Sequence, residues 1–329
     1  MSSRRVVVAS VAVLSLAASW VACSDEPPPL VPIDAGNDVV SDGPLPDGAI
    51  PDVDPDAPFD AGPSVCTEPM AFGAGKAVPT VSTPQADRFG AITPDELTIA
   101  WMNAAGTVLY ADRAAATDPF GPTQTFSGNF ALDRVALSAD GLTLIGVVTG
   151  RATFAQVKRS SRSGAFTGLL DSAPFKFLNQ QNGGNENDGG VVDAGGTVAD
   201  PVLSADGRLF YFTLIASGVE TFAESLRLGG TTYPSPRLLK ETDLVPVNGK
   251  YRRPTGISVD GRTLFFWDES TNTERAAFRE SVTFPGKTGY TKFIPLGAYP
   301  GAQATQTCGR LYYEASGTGG VDLFFADRN

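Results

Sequence analysis

A short motif recurs five times between residue 92 and the C-terminus, and this repetition constrains the fold more than any other feature of the sequence. Each copy opens with a short strand, makes a tight turn and continues into a β-rich run, as in Leu137-Ser-Ala-Asp140-Gly-Leu-Thr-Leu144. Asp-Gly between two such runs predicts a β-hairpin, because Gly adopts positive φ and the Asp side chain bonds its own backbone. The five turns are at Asp95, Asp140-Gly141, Asp206-Gly207, Asp260-Gly261 and Cys308.

A basic residue follows each turn after 18 to 21 residues, at the end of the third β-rich run. These residues are Arg113, Arg159, Arg227, Arg279 and Arg328. Successive turns are 45 to 66 residues apart, close to the about 40 to 50 residues of a four-stranded propeller blade. The longest interval contains Asn179–Gly196, rich in Asn and Gly, which we interpret as an inserted loop. We therefore predict an all-β fold, a five-bladed β-propeller of four-stranded antiparallel blades. Six blades, with one hidden in the N-terminal stretch, is the alternative.

The repeat resembles the TolB-like, WD-repeat-like β-propeller family. Pro201-Val-Leu-Ser-Ala-Asp-Gly207 and Gly319-Gly-Val-Asp-Leu323 match two parts of that family's blade motif, and the resemblance extends over nearly all of residues 65–329. It implies a propeller that mostly binds or scaffolds at the periplasmic or cell-surface side, often through contacts with other envelope proteins. Because one fold serves many functions, the resemblance does not identify the ligand.

The N-terminus is typical of an exported bacterial lipoprotein. Two arginines precede an apolar run from Val6 to Val21, which is short for a spanning helix but suits a signal peptide. The junction that follows resembles a lipobox, so residues 1–22 are predicted to be a signal peptide and Cys23 the lipidated residue that attaches the protein to a membrane. Ordinary secretion and a retained anchor helix are the alternatives. Because Ser24 rather than Asp follows the cysteine, we expect the outer membrane.

Residues 23–64 are predicted to be a disordered acidic tether between the anchor and a propeller domain at 65–329. Ten Pro, nine Asp and one Glu occur in 24–64 without any Lys or Arg, which gives a charge of −10. Such a composition buries too little apolar surface to fold. The Asp52-x-Asp54-x-Asp56 run lacks the Gly and Glu of a calcium loop, so a solvated linker is favoured over an ion site.

Composition excludes several kinds of chemistry. The chain contains no histidine, so it has no Ser-His-Asp or Cys-His nucleophilic site and no His-ligated metal. The predicted propeller carries a charge of only −3 and has no basic stripe, so we expect no nucleic-acid partner. We expect no cofactor, and a weakly bound divalent cation stays open.

The two ends of the predicted domain should meet. The last repeat stops at Asn329 after its third strand, and a propeller leaves no open edge if a stretch near residues 71–82 supplies the fourth. Once Cys23 is lipidated, Cys66 and Cys308 are the remaining thiols in an oxidising compartment, and both fall on one face. We therefore predict a disulfide between them, with two separately buried thiols as the alternative.

The loops that enter the innermost strands converge on the central channel of a propeller, so their residues are the default ligand contacts. Asp87, Asp133 and Asp200 stand six to eight residues before their turns, and Arg252 and Arg253 precede the fourth turn. We predict that these five residues form a channel-mouth site for a polar ligand or a cation. The alternative is that each Asp caps its own loop.

The expected function is a non-catalytic, lipid-anchored binding or scaffold module for an envelope protein or glycan. The alternative is a carboxylate-based glycoside hydrolase or lyase with its site at the channel mouth, since two suitably spaced carboxyls suffice for that chemistry. Aromatic runs at 210–212, 265–267 and 312–313 lie on second strands, where packing between blades is favoured over a carbohydrate-binding platform.

Overall fold

The computed structural model describes residues 66–81, 86–128, 130–151, 153–179, 197–216, 219–227, 229–239, 252–280, 289–317 and 320–329. The predicted signal peptide, Cys23, the predicted acidic tether and nearly all of the predicted inserted loop lie outside these ranges. Within them, no helix has the length and apolar character needed to cross a membrane.

The described chain is almost entirely antiparallel β-sheet. In chain order the strands are β1 (Lys76–Ala77), β2 (Arg88–Ile92), β3 (Thr98–Met102), β4 (Val108–Asp112), β5 (Gln124–Thr125), β6 (Leu132–Leu137), β7 (Thr143–Val148), β8 (Thr153–Lys158), β9 (Thr197–Leu203), β10 (Leu209–Ala216), β11 (Val219–Leu226), β12 (Arg237–Leu238), β13 (Arg252–Ile257), β14 (Thr263–Asp268), β15 (Thr273–Phe278), β16 (Lys292–Gly297), β17 (Gln303–Ala304), β18 (Arg310–Gly317) and β19 (Gly320–Asp327). A 3₁₀ turn, Ala173–Phe175, and a one-turn helix, α1 (Lys176–Asn179), follow β8.

These strands form five blades. Blades one, three and four are β2-β3-β4-β5, β9-β10-β11-β12 and β13-β14-β15-β16, and blade five is β17-β18-β19-β1. Blade two is β6-β7-β8, with a single bridge between Gln156 and Asp171 where the other blades have a fourth strand. The predicted five-bladed propeller is confirmed, and the six-bladed alternative is wrong.

Five hydrophobic clusters hold the ring together, one between each pair of adjacent blades. Because successive side chains of a strand point to opposite faces, each aromatic run serves two clusters. Phe210 and Phe212 pack towards blade two, while Tyr211 between them packs towards blade four. Trp101 and Tyr312 share the cluster between blades one and five, which closes the ring. The aromatic runs therefore pack between blades.

The repeated turns have the predicted chemistry. In blade two, the backbone N–H of Leu142 donates to Asp140 Oδ1 at 2.9 Å, and Gly141 has a φ of 70°. Nε of Arg159 donates to the carbonyl of Gly141 at 2.8 Å. Arg113, Arg227 and Arg279 reach the equivalent carbonyls of Glu96, Gly207 and Gly261. In these four blades the second marker of the repeat is thus an arginine whose side chain bonds the turn of its own blade.

The fifth turn differs by one residue from the sequence alignment. Cys308 has a φ of 51° and so occupies the position of the turn glycine, not that of the aspartate. Thr307 replaces the aspartate, and its Oγ1 accepts from the N–H of Gly309 at 3.3 Å. The sequence did not reveal this one-residue shift of the alignment, because the turn has neither an Asp nor a Gly at the usual position.

The N-terminal stretch closes blade five, as predicted. Lys76 pairs with Phe325 on β19, and Phe72 forms a bridge with Arg328. The Cys66–Cys308 disulfide is confirmed, with Cα atoms 5.3 Å apart across a sequence separation of 242 residues. Nη2 of Arg328 also donates to two carbonyls just after Cys66. The disulfide and these hydrogen bonds therefore stabilise the seam of the ring, the place where the N-terminal strand β1 joins blade five.

Candidate functional site

The innermost strands β2, β6, β9, β13 and β17 surround the central channel. We call the face where they begin the mouth face, and the face that carries the repeated turns the hairpin face. Towards the hairpin face the channel contains a pocket of about 30 Å³ that is lined by all five inner strands, with Ile92, Leu137 and Gln303 among the lining residues. That volume holds little more than a water molecule or two. A ligand larger than water is therefore expected to make its contacts at the mouth face.

Bulges shape the inner strands near the mouth face. Pairing shifts register in β2 between Phe89 and Ala91, in β6 between Asp133 and Val135, and in β13 between Pro254 and Gly256, and a similar shift occurs between β9 and β10. At two of these places a residue other than glycine is left-handed, with φ of 52° at Arg134 and 49° at Asp200. A bulge turns its side chain away from the ordinary alternation of the strand. These bulges therefore redirect charged residues near the channel.

Ion pairs join charged residues near the channel mouth, and two of them cross blade boundaries. Arg134 of blade two lies 3.1 Å from Asp200 of blade three. Arg253 of blade four lies 3.2 Å from Glu269 and 3.7 Å from Glu220 of blade three. Asp200 also accepts a hydrogen bond from Thr213 at 3.1 Å. Acids and bases at the mouth of the channel are thus held in pairs.

Two glutamates on strands behind the innermost ones are more deeply placed. Glu314 on β18 accepts a hydrogen bond from the N–H of Phe89 at 3.2 Å, beside the bulge of β2. Burial raises the pKa of Glu314, against the lowering effect of Arg134 and other arginines. Glu274 on β15 is fully buried and accepts a hydrogen bond from Thr255. Burial raises its pKa well above the usual range.

A cavity of about 580 Å³ opens on the mouth face between blades one, two and five, and we call it the rim cavity. Its polar lining includes Asp87, Arg88, Asp133 and Glu314, and a loop around Asn103 forms one side. Arg88 and Asp133 form an ion pair at 3.9 Å, with both side chains about half exposed. The backbone N–H of Asp87 donates to the carbonyl of Val321 at 2.6 Å, which fixes blade one against blade five.

The five predicted site residues do not all lie at one place in the structure. Asp87 and Asp133 line the rim cavity, whereas Asp200 and Arg253 lie in the ion pairs of the channel mouth. The side chain of Arg252 lies outside the described part of the chain, although its backbone pairs with Asp268. In the described ranges, no three acidic or cysteine side chains come together in a way that could hold a metal ion.

Sequence reasoning missed most of the partners of these residues. Arg88 and Arg134 each directly follow a predicted aspartate, so adjacency was the available signal. Glu314 follows two tyrosines in the middle of a strand, where a carboxylate is unusual enough to have been a signal as well. Glu220 had no comparable signal, because its pairing with Arg253 depends on how blades three and four meet, whereas Glu269 pairs with Arg253 within blade four.

No protein-family model matches the sequence, and no curated protein matches it. Solved structures that are similar include TolB from Acinetobacter baumannii, at 14% identity and a TM-score of 0.41 over 74% of this chain and 55% of that one. A calcium-binding protein, regucalcin, from Agrobacterium tumefaciens is 14% identical with a TM-score of 0.42, over 77% of this chain and 75% of that one. A gluconolactonase from Xanthomonas campestris is 14% identical with a TM-score of 0.39, over 74% and 86%. This chain thus spans about half of the TolB chain, and at this level of similarity none of these proteins' activities transfers to it.

Proposed function

We propose that the folded domain is a non-catalytic binding module, held at the bacterial cell envelope by the N-terminal tether, and that it engages a protein partner through its mouth face. The observation that carries this proposal is the paired arrangement of acids and bases there. Arg134 with Asp200, Arg253 with Glu269 and Arg88 with Asp133 leave both signs of charge close to the surface. Mixed polar rims of this kind give specificity and orientation to protein interfaces.

The hairpin face is less suited to this role. Several of its arginines are used within the ring, as where Arg159 binds Asp112 of the neighbouring blade and Arg310 binds Glu96. Towards that side the channel pocket has a volume of only about 30 Å³. A partner that is recognised through charged side chains is therefore expected to bind at the mouth face.

The proposed location rests on the N-terminal sequence. Lipidation of Cys23 would attach the chain to a membrane, and the outer membrane follows from Ser24 at the next position. A stiff tether of about 40 residues extends by about 3.1 Å per residue, so it spans up to roughly 130 Å. The propeller could then meet a partner well away from the lipid surface.

The test is site-specific photo-crosslinking of the full-length protein in cells. A photo-reactive amino acid replaces Ala104, an exposed residue of the rim cavity, and in a matched variant it replaces Ala116, an exposed residue on the hairpin side. We expect a discrete adduct from position 104 that protease digestion removes, and no such adduct from position 116. Equal adducts from both positions, no adduct from either, or an adduct that only glycan-degrading enzymes remove would contradict the proposal.

One observation favours catalysis as the second candidate. Burial raises the pKa of Glu314 in a cavity that also contains Asp133, and a general acid with a raised pKa beside a second carboxyl is the arrangement of glycoside hydrolases. This candidate predicts release of chromophore from aryl glycosides by the purified protein, and loss of that activity in Glu314→Gln. Absence of turnover across a panel of such glycosides would exclude it in favour of binding alone.

A further inference from the structure

Glu274 occupies a position that is apolar in every other blade. It stands five residues before Arg279, the arginine that marks the fourth repeat. The equivalent residues of the other blades are buried, and each packs in the cluster between its own blade and the next; they are Val108, Phe154, Phe222 and Leu323. Glu274 is 0% exposed. The boundary between blades four and five thus contains a carboxyl group where the other boundaries contain hydrocarbon.

The donors around this carboxyl are too few for a buried charge. Oε1 of Glu274 accepts from the hydroxyl of Thr255 on β13, whereas Oε2 is buried and has no hydrogen-bond partner in the part of the chain that the structure describes. Its neighbours across β14 and β16, Trp267 and Gly297, are uncharged. Burial raises the pKa of Glu274 and outweighs the backbone N–H groups of residues 301–302, which favour the charged form. Because a buried charge without enough partners is strongly disfavoured, the closed ring favours the neutral acid.

The charged groups on the surrounding strands do not compensate for a negative charge on Glu274. Glu314 of β18 acts as a like charge and raises the pKa further. Asp322 of β19 is another buried carboxyl on this side of blade five, since its cross-strand partner packs in the cluster between blades four and five. Arg253 of β13 lies beside two other glutamates. Arg275 of the same strand lies over an aromatic ring of the cluster towards blade three.

The strand opposite Glu274 is the shortest inner strand of the ring. β17 has two residues, against five to seven in β2, β6, β9 and β13. Its pairing with β18 consists of Gln303 with Tyr312 and Ala304 with Leu311. In the segment just before it, the titratable Tyr299 donates to two carbonyls of the N-terminal stretch. A strand with so few backbone pairs can separate while the rest of the ring stays folded.

We propose that Glu274 is a pH-sensitive switch at the boundary between blades four and five. With its proton bound, the carboxyl stays buried and β17 stays closed against blade four. Loss of the proton brings water to the carboxylate, so the segment at residues 299–304 moves away and the boundary opens. Glu274 lies at the mouth end of β15, so the opening is on the mouth face.

Rising pH is the signal that opens this boundary. In the open state Glu274 meets water and has its usual pKa of 4.5, whereas in the closed state its pKa is higher. Between these two values each pH unit favours the open state by about tenfold, which is the limit for release of one proton. Below the usual pKa both states hold the proton, so the closed state keeps its full stability there.

Hydrogen exchange of the full-length protein in detergent micelles, followed by mass spectrometry between about pH 5 and 8, tests the switch. The rates are corrected for the intrinsic effect of pH on exchange and expressed as protection factors. We expect the protection of residues 299–304 to fall by at least about tenfold over this range. β9 is the matched region and should keep its protection, because it faces Phe154, the apolar counterpart of Glu274.

Variants assign the effect to the carboxyl group. Glu274→Gln keeps the shape of the side chain without its titration, and Glu274→Leu supplies an apolar residue like those of the other blades. In both, the protection of residues 299–304 should be independent of pH. Glu280→Gln, at an exposed glutamate on the hairpin end of the same blade, is the matched control and should keep the wild-type profile.

Three outcomes would overturn the inference. They are a flat profile at residues 299–304 in wild type, an equal loss of protection in β9, and a loss that persists in Glu274→Gln. The first two need no variant, so they decide the matter even if a variant does not fold. The experiment needs no partner, so its result is separate from that of the crosslinking test of the proposed function.

Discussion

Arg159 offers the sharpest test of how the ring is held together. Its side chain is fully buried, and both carboxylate oxygens of Asp112 in blade one accept from it at 2.7 Å. Nε donates to the turn carbonyl of Gly141 at 2.8 Å, and the guanidinium lies 4.6 Å from the centre of the Phe166 ring. One residue therefore joins the turn of blade two to the third strand of blade one.

We expect Arg159→Ala to lower the free energy of unfolding by about 3 to 5 kcal/mol, because removal of one partner leaves the other charge of a largely buried pair without compensation. Arg227 is the matched control within the same chain. It occupies the equivalent repeat position and bonds the turn carbonyl of Gly207 at 2.9 Å, yet among the described residues it pairs with no carboxylate. Arg227→Ala should cost about 0.5 to 1.5 kcal/mol, the value of one hydrogen bond.

Urea denaturation of the full-length variants, followed by tryptophan fluorescence, measures both costs. A double variant, Arg159→Met with Asp112→Leu, should recover most of the stability, because replacing a whole buried pair by apolar side chains is often neutral. Equal costs at Arg159 and Arg227 would refute the reasoning, since the turn bond and not the interblade pair would then dominate. So would a double variant as unstable as Arg159→Ala alone.

Three other results are expected. Cys23→Ser should move the protein from the detergent phase to the soluble fraction in phase partitioning, and unchanged partitioning would exclude lipidation at this residue. Cys308→Ser opens a loop of 242 residues and should lower stability by up to about 5 kcal/mol in the chain-entropy model, with the same loss in wild type on reduction; a midpoint insensitive to reductant would show that the hydrogen bonds of the seam suffice. Glu274→Gln should stabilise the protein at neutral pH. Because burial raises the folded pKa of Glu274 above its usual 4.5, wild type loses stability as pH rises from that value, so the benefit should vanish at about pH 4, and a benefit that is constant with pH would contradict this.

The sequence alone was sufficient to predict the blades and their number, because the motifs that mark each blade are local. An Asp-Gly turn forms a hairpin through bonds between residues at most five positions apart, such as the bond from the N–H of Thr143 to Ser138 Oγ. An arginine 18 to 21 residues later reaches that turn by way of one further strand. Local chemistry repeated in register predicts a repeated unit wherever it occurs. The same approach misplaced Cys308 by one position, because Thr307 and Cys308 replace the two residues that define the turn.

Closure of the ring was also predictable, since the last repeat lacks a strand and an edge strand needs a partner. What only the tertiary structure decided is which charges meet. Arg134 meets Asp200 because bulges in β6 and β9 turn these side chains, and Arg253 meets Glu220 because blades three and four place them side by side. Glu314, from the end of the chain, bonds the N–H of Phe89 near its beginning. Such contacts join residues of different blades, and their partners depend on the twist and register of whole sheets, which no short sequence pattern contains.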